Sequence, residues 1–246
     1  MKFSKPLFAG MMLMVILGAC SSNPEKPAAE RKENASAKES TKPSSEQSMP
    51  VTIQGGASSS VLPIGPVTPN PYLQNPQKLS EQVEINFHDA VASIQQKNWD
   101  RAESVLKQLA EKNPKLSGVY LNLGIVYRNK GEAEKAAAEF NRAINANPKN
   151  VDAYNQLAVL KRESGNFTDA ENLYKKALTI WPFYPDGHKN IAILYDLYLE
   201  KPELALPHYQ AYQQLLPAPD KQVDSWVADL QRRLNAGKAP EKAEVK

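Results

Sequence analysis

A single cysteine, Cys20, excludes an intramolecular disulfide and any site built from several thiolates. Three histidines are too few for a histidine-rich metal cluster, and His88, His188 and His208 each stand alone in a helical pattern, where packing is the ordinary role. Neither sign of charge dominates. With 30 Lys and Arg against 27 Asp and Glu, the chain has no large basic field to offer a nucleic-acid polyanion. Glycine is scarce at 11 residues, and the sequence holds no phosphate loop, nucleophile elbow or metal-ligand spacing. Gly55-Gly56 is an isolated pair, and carboxylates such as Glu132 and Glu134 fall at turns or on solvated faces. No cofactor or metal is implied, and the reading is of a protein that is not an enzyme. The alternative, an enzyme of cell-wall or glycan metabolism, would have to use an unrecognised site.

Proline, by contrast, is plentiful. Of 19 prolines, nine fall between Cys20 and Leu79. Residues 20–79 are otherwise Ser, Lys, Glu, Ala and Gly, with little to bury, so the composition predicts a disordered tether. A coil of that length has an end-to-end distance of roughly 40 Å. Two apolar clusters interrupt it, Val61-Leu62-Pro63-Ile64 and Pro71-Tyr72-Leu73. Either the whole span is a plain spacer, or these clusters dock on a partner or on the folded domain.

Ahead of the tether, Lys2 and Lys5 precede an apolar run over residues 7–17, which ends in Leu17-Gly18-Ala19-Cys20. The run is too short to span a bilayer and has the form of a secretory signal, residues 1–19. Leu-Gly-Ala-Cys resembles the lipobox of bacterial lipoproteins. That resemblance implies cleavage before Cys20, acylation of Cys20 with palmitate-type chains, and anchoring by methylenes worth about 0.8 kcal/mol each. In that family an Asp after the cysteine retains the protein in the inner membrane. Ser21 stands there, which implies a lipid anchor in the outer membrane of a Gram-negative cell, facing the periplasm. Losing Lys2 and Lys5 leaves 28 basic side chains against 27 acidic ones, which makes a nucleic-acid partner still less apt.

The remaining chain repeats. Pro114, Pro148 and Pro182 stand 34 apart, as do Leu123, Leu157 and Ile191, and as do Gly124, Ala158 and Ala192. Ala102, Ala136 and Ala170 form a further column, as do Leu106, Phe140 and Tyr174, and Gly131 pairs with Gly165. Within a unit the apolar residues recur at helical spacing. Gly131 falls where a helix end needs a left-handed residue, the small residues let two antiparallel helices approach, and each proline stops a second helix.

This pattern resembles the tetratricopeptide repeat (TPR). The resemblance implies an all-α helix-turn-helix solenoid over 80–219, with units 83–116, 117–150, 151–184 and 185–219. The fourth unit carries one extra residue, together with Pro202 and Pro207, so its second helix is expected to start late or bend. Val223, Trp226, Val227, Leu230 and Leu234 predict a capping helix over 220–235 with Asp220 as N-cap, followed by a disordered tail, 236–246.

In the repeat family the first helix of each unit lines a concave groove. Carried over place by place, the groove holds Leu121, Asn122, Ile125, Arg128 and Asn129 of the second unit. The third unit adds Asn155, Gln156, Val159, Arg162 and Glu163, and the fourth adds Lys189, Asn190, Ile193 and Asp196. Phe87, His88 and Val91 come from the first. The partner-binding candidates are Asn122, Ile125, Arg128, Asn155, Val159, Arg162, Lys189 and Ile193. Amides suit a peptide main chain and arginines suit carboxylates, so an amide-lined positive strip is expected; the competing possibility is that Glu163 or Asp196 neutralises the arginines. The function implied is that of an anchored scaffold holding a partner protein or peptide during envelope assembly. Families with this combination include type IV pilus pilotin lipoproteins, lipoprotein adaptors of peptidoglycan enzymes, and repeat proteins accompanying TonB–ExbB-type motors.

Overall fold

The structure is a computed structural model that describes residues 61–62, 66–74 and 76–236. The signal sequence, Cys20, the first apolar cluster beyond Leu62 and the tail from residue 237 lie outside the described residues. Among the described residues every regular element is helical. The helices are α1 (Glu81–Gln95), α2 (Trp99–Lys112), α3 (Ser117–Asn129), α4 (Ala133–Ala146), α5 (Val151–Glu163), α6 (Phe167–Ile180), α7 (Pro185–Ile193), α8 (Pro202–Leu215) and α9 (Lys221–Ala236).

Local chemistry sets the helix ends. Ser80 Oγ accepts from the Val83 amide, Asn98 Oδ1 from Arg101 and Asn150 Oδ1 from Ala153, each taking up one of the first-turn donors that a helix leaves unpaired. The Asp220 carboxylate accepts from the Gln222 and Val223 amides and starts α9. Between the two helices of every unit the chain passes through positive φ at one column: Lys97 (57°), Gly131 (79°), Gly165 (80°) and Glu200 (52°).

Packing follows the columns. A Cβ on Gly124 would lie 2.5 Å from Phe140 Cε1, so the α3–α4 pair closes only because that residue is glycine. Ala102, Leu106, Ala136, Phe140, Ala170 and Tyr174 are all fully buried. Consecutive first helices touch, α1 with α3, α3 with α5 and α5 with α7, whereas the second helices make no comparable contact. The first helices therefore line the inner side of the curve.

The fourth unit's extra residue sits in its first helix. After Ile193 the chain continues as a π-helical turn, Leu194–Tyr198, whose backbone bond spans one residue more than in an α-helix, as from Leu199 N–H to the Leu194 carbonyl. Register is thus restored before α8, which begins at Pro202 and runs through Pro207. The expected late start does not occur. Pro202 at the first helical position loses nothing, because that amide has no partner in any helix, and Pro207 forfeits a single bond near the start. Helix α9 covers the last unit through Val223, Val227 and Leu230, with Trp226 against Tyr209.

Most of the span read as tether, residues 20–60, 63–65 and 75, lies outside the described residues. Residues 66–74 lie against the repeats. The Trp181 indole N–H donates to the Thr68 carbonyl (2.9 Å), Asn70 is buried, and Tyr72 is half-buried, with desolvation pushing its hydroxyl up to about 12. One aromatic ring supplies apolar area that the surrounding Pro and Ser lack.

Candidate protein-binding groove

Helices α3, α5 and α7 present corresponding residues to the inner side. Ile125, Val159 and Ile193 form one apolar row. Ile125 is half-buried, while Val159 and Ile193 are buried by their neighbours. Beside the row runs a set of amides. Asn190 Nδ2 donates to Asn155 Oδ1 (2.9 Å), which ties α7 to α5. Asn122 Nδ2 turns back to the Gly118 carbonyl (2.8 Å), so its carbonyl oxygen has no part in that bond. Asn155 is buried and Asn122, Gln156 and Asn190 are half-buried. In the first unit Phe87 is buried, Val91 half-buried and His88 exposed.

The charges differ from the sequence-based expectation. Arg128 Nη2 lies 2.5 Å from Glu163 Oε1, and its Nη1 reaches Gln156 Oε1 at 3.4 Å. Lys189 lies 3.6 Å from Asp220 and over the Tyr212 ring. Asp196 pairs with Arg233 of α9 (2.6 Å) rather than with a groove arginine. The positive strip is therefore neutralised from within at Arg128 and Lys189. Half-buried charges without a partner are costly, and these side chains are close enough to pair with one another.

Arg162 is the exception, and it is not a surface residue. Only 8% of it is exposed, its guanidinium carbon lies 5.6 Å from the centroid of the Tyr198 ring, and its buried Nε and Nη1 have no hydrogen-bond partner among the described residues. Arg128 and Arg162 share a repeat position, but the π-helical turn sets Tyr198 against the second of them. Tyr198 also packs on Phe167. The extra residue in the fourth unit was the available signal, since an insertion within a helix displaces everything beyond it.

A second arrangement escaped the sequence reading. His188 Nε2 faces the Pro182 carbonyl at 2.8 Å, so it must donate there. In the neutral ring Nδ1 is then bare, and it accepts from His208 Nδ1–H at 2.9 Å. Protonating His188 sets two N–H groups against each other, whereas protonating His208 adds a charge at its Nε2 that burial disfavours. Burial lowers the pKa of both, and for His208 burial with the charges of His188 and Lys175 brings it to about 3. Residues 20 apart in sequence gave no periodic hint of this pair. Among the described residues no cluster of three or more His, Cys, Asp or Glu could hold a metal ion, and no helix is long and apolar enough to cross a membrane.

The architecture defines the class: stacked antiparallel helix pairs with their first helices lining a groove. Tetratricopeptide-repeat family models match residues 93–160 and 151–181, so the chain carries these repeats, the architecture of a protein-interaction scaffold. No curated protein is similar to it in sequence. Solved structures share the fold. The structure titled "Functional Characterization of Pseudomonas Aeruginosa pilF" is 19% identical with a TM-score of 0.58, covering 63% of this chain and 70% of its own. A thermophilic TPR protein of Thermus thermophilus is 22% identical with a TM-score of 0.54, covering 62% and 82%. MamA is 15% identical with a TM-score of 0.51, covering 59% and 84%.

Proposed function

We propose that this protein is a lipid-anchored adaptor. Acylated at Cys20, it faces the periplasm from the outer membrane and holds a partner peptide or protein in the groove of its repeats during assembly of an envelope complex. The carrying observation is the inner side of α3, α5 and α7, where half-buried Ile125, Asn122, Gln156 and Asn190 stand accessible beside the buried Val159, Ile193 and Asn155. An apolar row with amides beside it suits a segment that presents both side chains and main-chain groups. Arg128 and Lys189 complete the contact set, while Arg162 is buried against Tyr198 behind it. A partner carboxylate reaching Arg128 displaces Glu163, and one reaching Lys189 displaces Asp220. The system served is of the pilus or secretion, cell-wall or TonB–ExbB type, and the partner's identity selects among them.

The test is photo-crosslinking in cells from Asn122 and Gln156, with exposed Asn141 of α4 as control, followed by mass spectrometry. One envelope protein is expected from the groove positions and not from Asn141. Equal capture from all three would remove the groove assignment. Separately, Cys20→Ala is expected to abolish palmitate labelling and release the protein from membranes; unchanged outer-membrane fractionation would refute the anchor.

A further inference from the structure

The segment 66–74 is shaped for the place it occupies. Pro69 and Pro71 flank Asn70 and restrict the backbone on both sides of it. Asn70 Oδ1 accepts from the Tyr72 amide (3.0 Å), and the Asn70 carbonyl accepts from Leu73 (3.0 Å), closing a tight turn. Gln74 Nε2 braces the turn through the Pro69 carbonyl (3.3 Å). Val67 and Leu73 are left exposed, at 65% and 48%, so the anchors are buried Asn70 and half-buried Tyr72.

What receives them is an edge of the solenoid rather than its groove. The Tyr72 hydroxyl faces the Ser117 hydroxyl and the Gly118 amide at the start of α3. That helix follows Leu116, which provides no side-chain cap, whereas Asn150 at the same repeat position caps α5. Tyr72 thus lies beside a helix start that has no side-chain cap of its own. Trp181, in the turn between α6 and α7, holds the other end through Thr68. Asp152 of α5 lies between these contacts, bonded to the Tyr184 hydroxyl at 2.7 Å. The segment therefore reaches from the start of α3 to the turn that follows α6.

We propose that this edge is a second peptide-binding surface, separate from the groove, and that its ligand is the chain's own proline-flanked Asn-Pro-Tyr turn. Docking fixes where the chain leading from Cys20 meets the repeats. Such a contact has the chemistry of a ligand rather than of a core element. It consists of one aromatic plug, one indole hydrogen bond and a self-closed turn, with polar or exposed residues on either side. This proposal does not depend on what the groove binds.

The test is hydrogen exchange on the full-length protein. In wild type the Trp181 indole N–H and the Tyr72 and Leu73 amides are expected to exchange slowly. Tyr72→Ala should speed the indole by about tenfold or more while the α5 and α6 amides keep their protection. A synthetic peptide of residues 66–74, added to that variant at about millimolar concentration, should restore slow exchange at Trp181. Trp181→Phe, which keeps the ring area but not the donor, should free the Tyr72 and Leu73 amides. Unchanged indole exchange in Tyr72→Ala would overturn the proposal, as would failure of the peptide to restore it. Loss of α5 and α6 protection together with the segment would also overturn it, because the segment would then be part of the core.

Discussion

The second and fourth units are built on one plan and differ by one residue. In the second, Ser117–Asn129 and Ala133–Ala146 keep the 34-residue period, Gly124 lies against Phe140, and Gly131 makes the turn. In the fourth, Ala192 and Tyr209 take the equivalent places, Glu200 makes the turn, and the added residue is held in the π-helical turn Leu194–Tyr198. A helix can accommodate an extra residue by widening one turn, whereas the interhelix turn has a set φ requirement and the second helix a set core. The widened turn then acquires partners of its own, since Tyr198 covers Arg162 and Asp196 pairs with Arg233.

The largest way to break the comparison is to overfill the second unit at the place where the fourth carries Ala192. Gly124→Val adds volume where a Cβ already meets the Phe140 ring at 2.5 Å, and it should cost about 3 kcal/mol in denaturant melts. A loss under about 1 kcal/mol would mean that the ring moves aside freely.

The histidine pair exists only between α7 and α8 and should make that unit sensitive to acid. The folded pKa of His208, about 3, lies below its unfolded value near 6.5. Its contribution to stability is therefore complete above about pH 6.5 and is lost as pH falls towards 3. Asp152, raised by burial to about 6, acts in the opposite sense, losing stability as pH rises through its own window. Comparing wild type with His208→Asn cancels that background. The wild-type curve should be steeper by up to about 1.4 kcal/mol per pH unit between pH 6 and 4. Parallel curves would show that the pair does not titrate with folding.

The smallest effects sharpen the turn column. Gly131→Ala meets no neighbouring atom within 4 Å, so its expected cost of about 1 kcal/mol is backbone strain alone. Glu200→Gly should stabilise by about 0.5–1 kcal/mol, because a non-glycine residue already sits at φ 52°. Opposite signs in paired thermal melts would confirm that both positions obey one rule.

The sequence by itself determined the repeat, its helices and their order, the left-handed turn at Gly131 and Gly165, the close approach at Gly124 and the Asp220 cap. These depend on local conformation or on contact between adjacent helices, and both recur at a fixed spacing that one chain displays several times. Tertiary structure decided the rest. Arg162 looked equivalent to Arg128, yet one is buried against Tyr198 and the other is paired with Glu163, because the π-helical turn and the next helix occupy the space beside them. His188 met His208, and Thr68 met Trp181 across 113 residues, through contacts that occur once and leave no period in the chain. A repeat pattern specifies what every unit must share; side chains that meet only once are brought together by the curvature and ends of the folded stack.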